Sequence, residues 1–351
     1  MLLDKKKEVI IVTGASGRIG SNVVQRLGKK YCIVGFELLK AIYTSKNEEL
    51  VPVDLSSDES VHQAFKHIHY FYGNRIASVI HLAAYYSFDK KESPLYDKIT
   101  VEGTRRLLNA LQNFEVEQFI FSSTMLVHKP CQPGQKINED WPLQPTWGYP
   151  KSKVKTEEII HEKRGKIPSL ILRIAGVYDD QCHSIPISHQ IQRIYEKTFE
   201  SHFFAGNINH GASFLHMEDL VDAIESAVDT RLQLPSELIL EIGESKTLSY
   251  NDLQRRISQL IFGKEMTTYS LPKSIAKIGA WLQNQIPFIK PPFIKPWMIA
   301  IADDHYELDI RKAEQYLNWM PKHSLNNTLP TIIKELKKDP AQWYKKNQLK
   351  N

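Results

Sequence analysis

Short runs rich in valine and isoleucine alternate with longer segments of helical period through the first half of this 351-residue chain, and that alternation limits the fold more than any other feature. The strand-like runs are Glu8–Thr13, Tyr31–Glu37, Leu50–Val53, Ala77–Leu82, Glu117–Ser122 and Ser169–Ile174. Arg18–Lys29, Ser57–His69, Leu95–Phe114 and Pro150–Lys163 between them have helical spacing. A strand followed by a helical crossover rejoins its sheet in the parallel sense. The expected fold is therefore α/β, a doubly wound parallel sheet covered by helices on both faces. Beyond about Gly176 the alternation weakens, with helical period at His183–Phe199, Met217–Arg231, Leu308–Tyr316 and Leu325–Lys338 and one more strand-like run at Ser236–Ile242. Residues 1–176 are expected to form a nucleotide-binding domain. Residues 177–351 should form a smaller, mainly substrate-binding part, with some segments crossing back.

Composition excludes several classes. Hydrophobic residues at 42% supply a full core, which argues against disorder. The 45 basic and 40 acidic residues leave +5, and Lys334–Asn351 alone carries six lysines against two acids, or +4. The body is nearly neutral, so no nucleic-acid-binding face is expected, and the tail reads as a solvated, frayed terminus. Three widely spaced cysteines, Cys32, Cys131 and Cys182, form neither a disulfide framework nor a metal knuckle and fit a reducing compartment. No apolar run reaches the ~20 residues that cross a bilayer. Lys5-Lys6-Lys7 at the N-terminus is not followed by the long apolar stretch of a secretion signal. A cytoplasmic protein without integral membrane contact is expected. His62, His67 and His69 do not share one helical face, and no metal site is expected.

Directly after the first strand stands Thr13-Gly14-Ala15-Ser16-Gly17-Arg18-Ile19-Gly20, with a helix beginning at once. Glycines in this setting let the backbone turn tightly and let a pyrophosphate approach the main chain at the positive end of the helix. Glu37 closes the second strand 23 residues after Gly14, where a carboxylate accepts from the adenosine ribose 2′-hydroxyl and repels a 2′-phosphate. That favours NAD over NADP, with Arg18 and Lys40 nearby as cations that could favour the phosphate. Asp54-Leu55, after the third strand, is placed to flank the adenine.

Tyr149-Pro150-Lys151-Ser152-Lys153 sets a phenol four residues before an ammonium on one helical face, with proline tolerated in the first turn. A free tyrosine ionises near pH 10, and a neighbouring cation lowers that value toward the range useful for a general acid/base. The preceding strand ends in Ser122-Ser123-Thr124, so its hydroxyls and the glycine loop face one crevice at the carboxyl ends of the strands.

These pieces resemble the NAD-dependent epimerase/dehydratase family of extended short-chain dehydrogenases/reductases. The matches are Thr13–Gly20, Asp54-Leu55, His81-Leu82-Ala83-Ala84, Val101-Glu102-Gly103-Thr104, Ser122-Ser123-Thr124, Tyr149-x-x-x-Lys153, Leu172-Arg173 with Val177-Tyr178, Phe214–Leu220, and Asp309–Ala313 with Leu317-Asn318-Trp319. The resemblance implies a Rossmann fold and a nicotinamide cofactor, with Gly14, Ser16, Gly17, Arg18, Ile19, Gly20, Glu37, Asp54, Leu55, Ala83 and Ala84 in its site. It implies that Tyr149 is the acid/base, that Lys153 binds the nicotinamide ribose and tunes Tyr149, and that Thr124, with Ser123 as the fallback, binds the reacting oxygen. His216 falls in a family motif as a structural residue or one acting through a neighbour, with a catalytic role as the alternative. Relatives often form homodimers through the helices that correspond to Leu95–Phe114 and Pro150–Lys163.

The departures bear on substrate. Family 4,6-dehydratases follow the threonine with Asp-Glu, where this chain has Met125-Leu126, which disfavours dehydration. Sugar-nucleotide epimerases commonly place an arginine before the aromatic-x-His segment, where Gly211-Ala212-Ser213 stands here. The expected activity is NAD-dependent oxidoreduction or epimerisation at a secondary alcohol of a sugar or nucleotide sugar. The alternatives are a hydroxysteroid-dehydrogenase-like or other alcohol dehydrogenase acting on a less polar substrate, and a non-catalytic NAD(P)-sensing module. The doubled Pro-Phe-Ile-Lys-Pro of Pro287–Pro296 reads as a connector, a pocket lid carrying Phe288, Phe293, Trp297, Lys290 or Lys295, or a surface contact; Ile42, Tyr43, Tyr85, Tyr86 and Phe88 are further candidates for substrate contact.

Overall fold

The computed structural model describes residues 7–38, 48–87, 92–278 and 296–349. Lys40, Ile42, Tyr43, Phe88, nearly all of the Pro287–Pro296 repeat and the side chain of Trp297 lie outside the described residues. A seven-stranded sheet runs in the order β3 (Glu48–Pro52), β2 (Cys32–Glu37), β1 (Val9–Thr13), β5 (Ser78–His81), β7 (Phe119–Thr124), β8 (Ser169–Ile174) and β12 (Glu237–Ile242). All neighbours are parallel. β4 (Arg75–Ile76) and β6 (Glu115–Val116) form a separate short pair. The fold is thus the doubly wound, Rossmann-like α/β sheet.

Its strands are continuous apolar runs because both faces are covered. In β1, Ile10 and Val12 point to one side, into a core with Val23, Val24 and Leu27 of α1 (Arg18–Leu27) and Leu220, Val221 and Ile224 of α6 (Met217–Asp229). Val9 and Ile11 point to the other, toward α2 (Asp58–Tyr72), α3 (Glu102–Leu111) and α4 (Gly148–Lys163). The chain leaves β1 toward β2 and β3, then crosses to β5 on the opposite side of β1. That reversal opens a crevice at the strands' carboxyl ends.

The segment expected as one helix from Leu95 to Phe114 is a π-helical turn, Tyr96–Val101, followed by α3. In this wider turn the buried Thr100 hydroxyl accepts from the Tyr85 N–H at 3.0 Å. Beyond residue 175, β9 (Gly176–Tyr178) pairs with β11 (Phe214–His216), and β10 (Phe203–Ala205) pairs with β13 (Tyr269–Leu271). A third core joins Ile187, Ile191 and Ile194 of α5 (Ile185–Tyr195), Leu253 and Ile257 of α7 (Tyr250–Phe262), and Leu329, Ile332 and Ile333 farther on. The later helices are α8 (Pro296–Ala300), α9 (Arg311–Leu317), α10 (Leu325–Lys338) and α11 (Pro340–Lys346).

The basic tail is not the frayed terminus expected from its charge. Asp339 caps α11 by accepting from Gln342 N at 2.9 Å, and Trp343, Tyr344 and Leu349 are buried in the third core. Burying two large aromatic surfaces outweighs a lysine-rich composition whose charges stay in solvent.

Candidate active site

The glycine loop leaves β1 through Gly14, whose φ of +69° suits glycine. A Cβ on Gly20 would lie 2.1 Å from Gly14 O, so only glycine permits this closeness of loop and helix. Gly17 precedes α1, and no side chain caps the helix. Its first N–H groups are left without a side-chain partner, as an anion-binding helix start requires. Glu37, at the end of β2, accepts from Ser16 N and from Leu38 N, each at 3.0 Å, so its carboxylate sits against the glycine loop. Ala83 approaches Gly14: a Cβ there would be 3.1 Å from Ala83 N. Ala84 follows it at the same strand end. These groups fit a dinucleotide whose pyrophosphate lies on the loop and whose ribose meets Glu37.

The other expected cofactor residues are placed less directly. Asp54 is exposed and accepts from Ser56 N at 2.8 Å, which holds its carboxyl below the usual range; Leu55 is buried against Gly103. Ile19 is half-buried in the first turn of α1. Arg18 does not turn toward Glu37. Its guanidinium donates to the His183 carbonyl oxygen across the crevice.

At the centre of the sheet, Thr104 donates to Thr100 O at 2.6 Å, so its oxygen accepts from His81 Nε2–H at 2.8 Å. His81 Nδ1 then accepts from the Thr13 hydroxyl at 2.7 Å, and Thr13 Oγ1 accepts from Ala83 N at 3.1 Å. Burial pushes His81 down to about 3, so this chain of neutral groups fixes β1 against β5 at the crevice.

Tyr149 and Lys153 stand one turn apart at the start of α4. The Thr124 hydroxyl lies near enough to the Tyr149 phenol to act on it, pulling its pKa down. Ser123 turns away to donate to Glu157, so Thr124, not the fallback, meets the phenol. Lys153 is buried, donates to Ser122 O at 2.6 Å and lies 5.6 Å from the Tyr149 ring centroid. The expected lowering of the phenol does not occur in this arrangement. Burial, reinforced by Tyr86 and Tyr96, raises the Tyr149 pKa, and the Thr124 hydroxyl opposes it. Burial brings Lys153 down to about 7, with Glu157 acting the other way.

Sequence reasoning did not single out the ionic layer beneath these residues. Glu157, one turn after Lys153, pairs with Arg173 at 2.7 Å; Arg173 also donates to Glu139 O at 2.9 Å, and His128 meets Glu241 at 2.7 Å. The layer ties α4 to β7 and β8. The spacing Lys153–Glu157 was its signal in the sequence. His216, by contrast, caps α6, accepting from Glu218 N at 3.2 Å, and stacks on His323 with ring centroids 4.2 Å apart.

Tyr86 and Trp147 pack on Tyr149, with ring centroids at 4.9 and 5.5 Å, and open into a cavity of about 850 Å³. Met125, Leu126, Phe204, Phe214, Tyr250, Ile299 and Tyr306 make most of its wall apolar; Arg18, Gln190 and Arg193 are among its polar groups. Where an arginine was absent from the sequence, the Ser213 hydroxyl is buried without a partner among the described residues.

A Rossmann-like sheet, a dinucleotide-type glycine loop and a Tyr-x-x-x-Lys pair at the same crevice define the class of short-chain oxidoreductases. The NAD dependent epimerase/dehydratase family model matches residues 10–243, and the chain belongs to that family. It is similar to dTDP-D-glucose 4,6-dehydratase of Mus musculus, 26% identical over 96% of this chain and 89% of the relative. It is also similar to mouse 3 beta-hydroxysteroid dehydrogenase type 7, 23% identical over 90% and 92% of the two chains. Among solved structures, UDP-glucuronic acid 4-epimerase from Bacillus cereus in complex with UDP-glucuronic acid and NAD shares the fold. Its TM-score is 0.70, at 21% identity over 94% of this chain and 99% of that one. Among the described residues, no helix is long and apolar enough to cross a membrane.

Proposed function

We propose that this family member catalyses NAD-dependent hydride transfer at a secondary alcohol, with Tyr149 moving the hydroxyl proton, Thr124 holding the reacting oxygen and Lys153 placing the nicotinamide ribose. The observation that carries this reading is the meeting of Tyr149, with Thr124 acting on its phenol, and a buried Lys153 5.6 Å from the phenol ring centroid, at the crevice where the glycine loop opens. NAD supplies the hydride acceptor when bound; Gly14, Ser16, Gly17, Gly20 and Glu37 hold it, and Glu37 selects it over NADP. A phenol held in its protonated form is suited to giving a proton to an oxygen that gains negative charge during ketone reduction. Oxidation needs the phenolate and gains rate as pH rises. The intact Tyr149, Lys153 and Thr124 set argues against a non-catalytic sensor.

Relatives with nucleotide-sugar names support a sugar or nucleotide-sugar substrate. A specific observation favours the second reading, a less polar alcohol: the cavity beside Tyr149 is walled mainly by aromatic and aliphatic side chains. Met125 and Leu126 exchange no protons, so 4,6-dehydration is not proposed. The homodimer that the resemblance implies would meet through α3 and α4; Lys151, Lys155 and Glu158 on α4 are exposed and charged, so ion pairs would hold such an interface.

Tyr149→Phe is expected to retain NAD binding and to lose about 10²–10⁴ in turnover, the usual weight of a proton-transferring group. NADH formation with nucleotide sugars, steroids and simple alcohols, together with product analysis for a non-releasing epimerase, supplies the assay. Undiminished turnover in the variant would remove Tyr149 from the mechanism.

A further inference from the structure

The cavity contains a cation with one hydrogen-bond donor left unmet. α5 turns Pro186, His189, Gln190 and Arg193 toward it, the i, i+3, i+4, i+7 spacing of one helical face. Gln190 is satisfied, donating to Gln254 Oε1 at 2.9 Å. Arg193 is not. Its Nε is buried with no hydrogen-bond partner, and burial lowers its pKa, with Glu200 on an exposed turn acting in the opposite direction. Asp304, which also lines the cavity, acts on Tyr250 and Tyr306 rather than on Arg193. Burial, and the Arg193 charge, bring His189 down to about 4, so it is neutral at neutral pH. A second donor lines the same cavity: Thr268 Oγ1 is buried and likewise without a partner.

A guanidinium partly withdrawn from water is stabilised when a counter-charge completes it. Its forked donors match a carboxylate, sulfate or phosphate. The rest of the wall would meet an apolar body.

We infer that the cavity takes an amphipathic ligand whose apolar body ends in an anionic group bound by Arg193 and Thr268, leaving its hydroxyl-bearing carbon at the Tyr149 end. This rests on the cavity's being the substrate site of the proposed enzyme. It narrows the substrate class to hydroxy acids with a large apolar body, or their phosphate or sulfate equivalents.

The test uses two fluorescent probes with the same aromatic body: 8-anilino-1-naphthalenesulfonate, which carries the anion, and N-phenyl-1-naphthylamine, which lacks it. Titrated into the full-length protein with NAD present, the sulfonate is expected to bind about tenfold tighter or more, the scale of a hydrogen bond to a charged group. Arg193→Gln should erase that preference, and Arg193→Lys should restore part of it. Dodecanoate and dodecyl phosphate are then run as competitors, and the one effective at lower concentration identifies the acid. An unchanged preference in Arg193→Gln overturns the inference. So does displacement by UDP that depends on Arg193, because the arginine would then serve a nucleotide diphosphate. The titration reads binding without turnover, so Tyr149→Phe should keep the sulfonate preference whether or not that variant is active. Failure of the anion site and failure of the proposed chemistry are therefore separable.

Discussion

Burial holds the Lys153 amine between Phe121, 4.6 Å from the ring centroid, and Tyr149, and lowers its pKa to about 7. The unfolded chain protonates the same amine near 10.4, so between those values the unfolded state binds more protons and folding stability rises with pH. Below about pH 7 both states carry the proton, and the fold bears the full cost of a buried ammonium. Methionine fills similar space without charge. Lys153→Met is therefore expected to raise the melting temperature at pH 6, by an amount that shrinks as pH climbs toward 10, while turnover falls by at least about 10²-fold. Melting curves across that pH range check the sign; a variant less stable than the parent at pH 6 contradicts the burial argument. Tyr149 and Lys153 were legible as a pair because their spacing survives in one dimension. Their electrostatics were not, since whether the amine or the burial governs the phenol depends on Tyr86 and Tyr96, which come from other segments.

At the scale of elements, helices with both ends marked were readable. Ser249 caps α7 by accepting from Asp252 N at 3.0 Å, and Gly263 ends it at φ +74°. Both signals stand in the sequence at the two ends of that stretch. The π-turn at Tyr96–Val101 had no such mark, because it answers to tertiary contacts. Tyr96 is pressed between Tyr85, with centroids 4.9 Å apart, and the start of α4 at Gly148, and its hydroxyl donates to Ser87 O at 3.2 Å. A Cβ on Gly148 would stand 2.8 Å from the Tyr96 ring. Gly148→Ala must move either that ring or the first turn of α4, which carries Tyr149. We expect a loss of about 1–3 kcal/mol in stability, the range for overpacking. Turnover should drop about 10–10²-fold, as small misplacements of reacting groups do. Denaturant titration and steady-state rates measure both, and a variant matching the parent in each would show that Tyr96 yields freely.

For the whole molecule, the alternation of strands and helices before Gly176 made six sheet strands legible, and segments after it pack onto the same sheet. β12 pairs with β8 over six residues, from Glu237 opposite Ser169 to Ile242 opposite Ile174. α6 lies against α1, where Arg26 meets Asp222 at 2.5 Å and Glu225 at 3.0 Å, and Lys30 meets Asp229 at 2.8 Å. One core cluster runs from Ile10 and Val12 through Leu220 and Ile224 to Leu317 and Trp319. A fragment ending at residue 176 would expose β8 as an unpaired apolar edge and strip one face of β1 of α6, which favours aggregation over folding. The full chain is therefore expected to lose far-ultraviolet circular dichroism and tryptophan fluorescence in one coincident transition. The 1–176 fragment should show no cooperative melt. Were that fragment to stay monomeric, melt cooperatively and bind NAD, the later segments would be accessories to an independent domain rather than parts of its core.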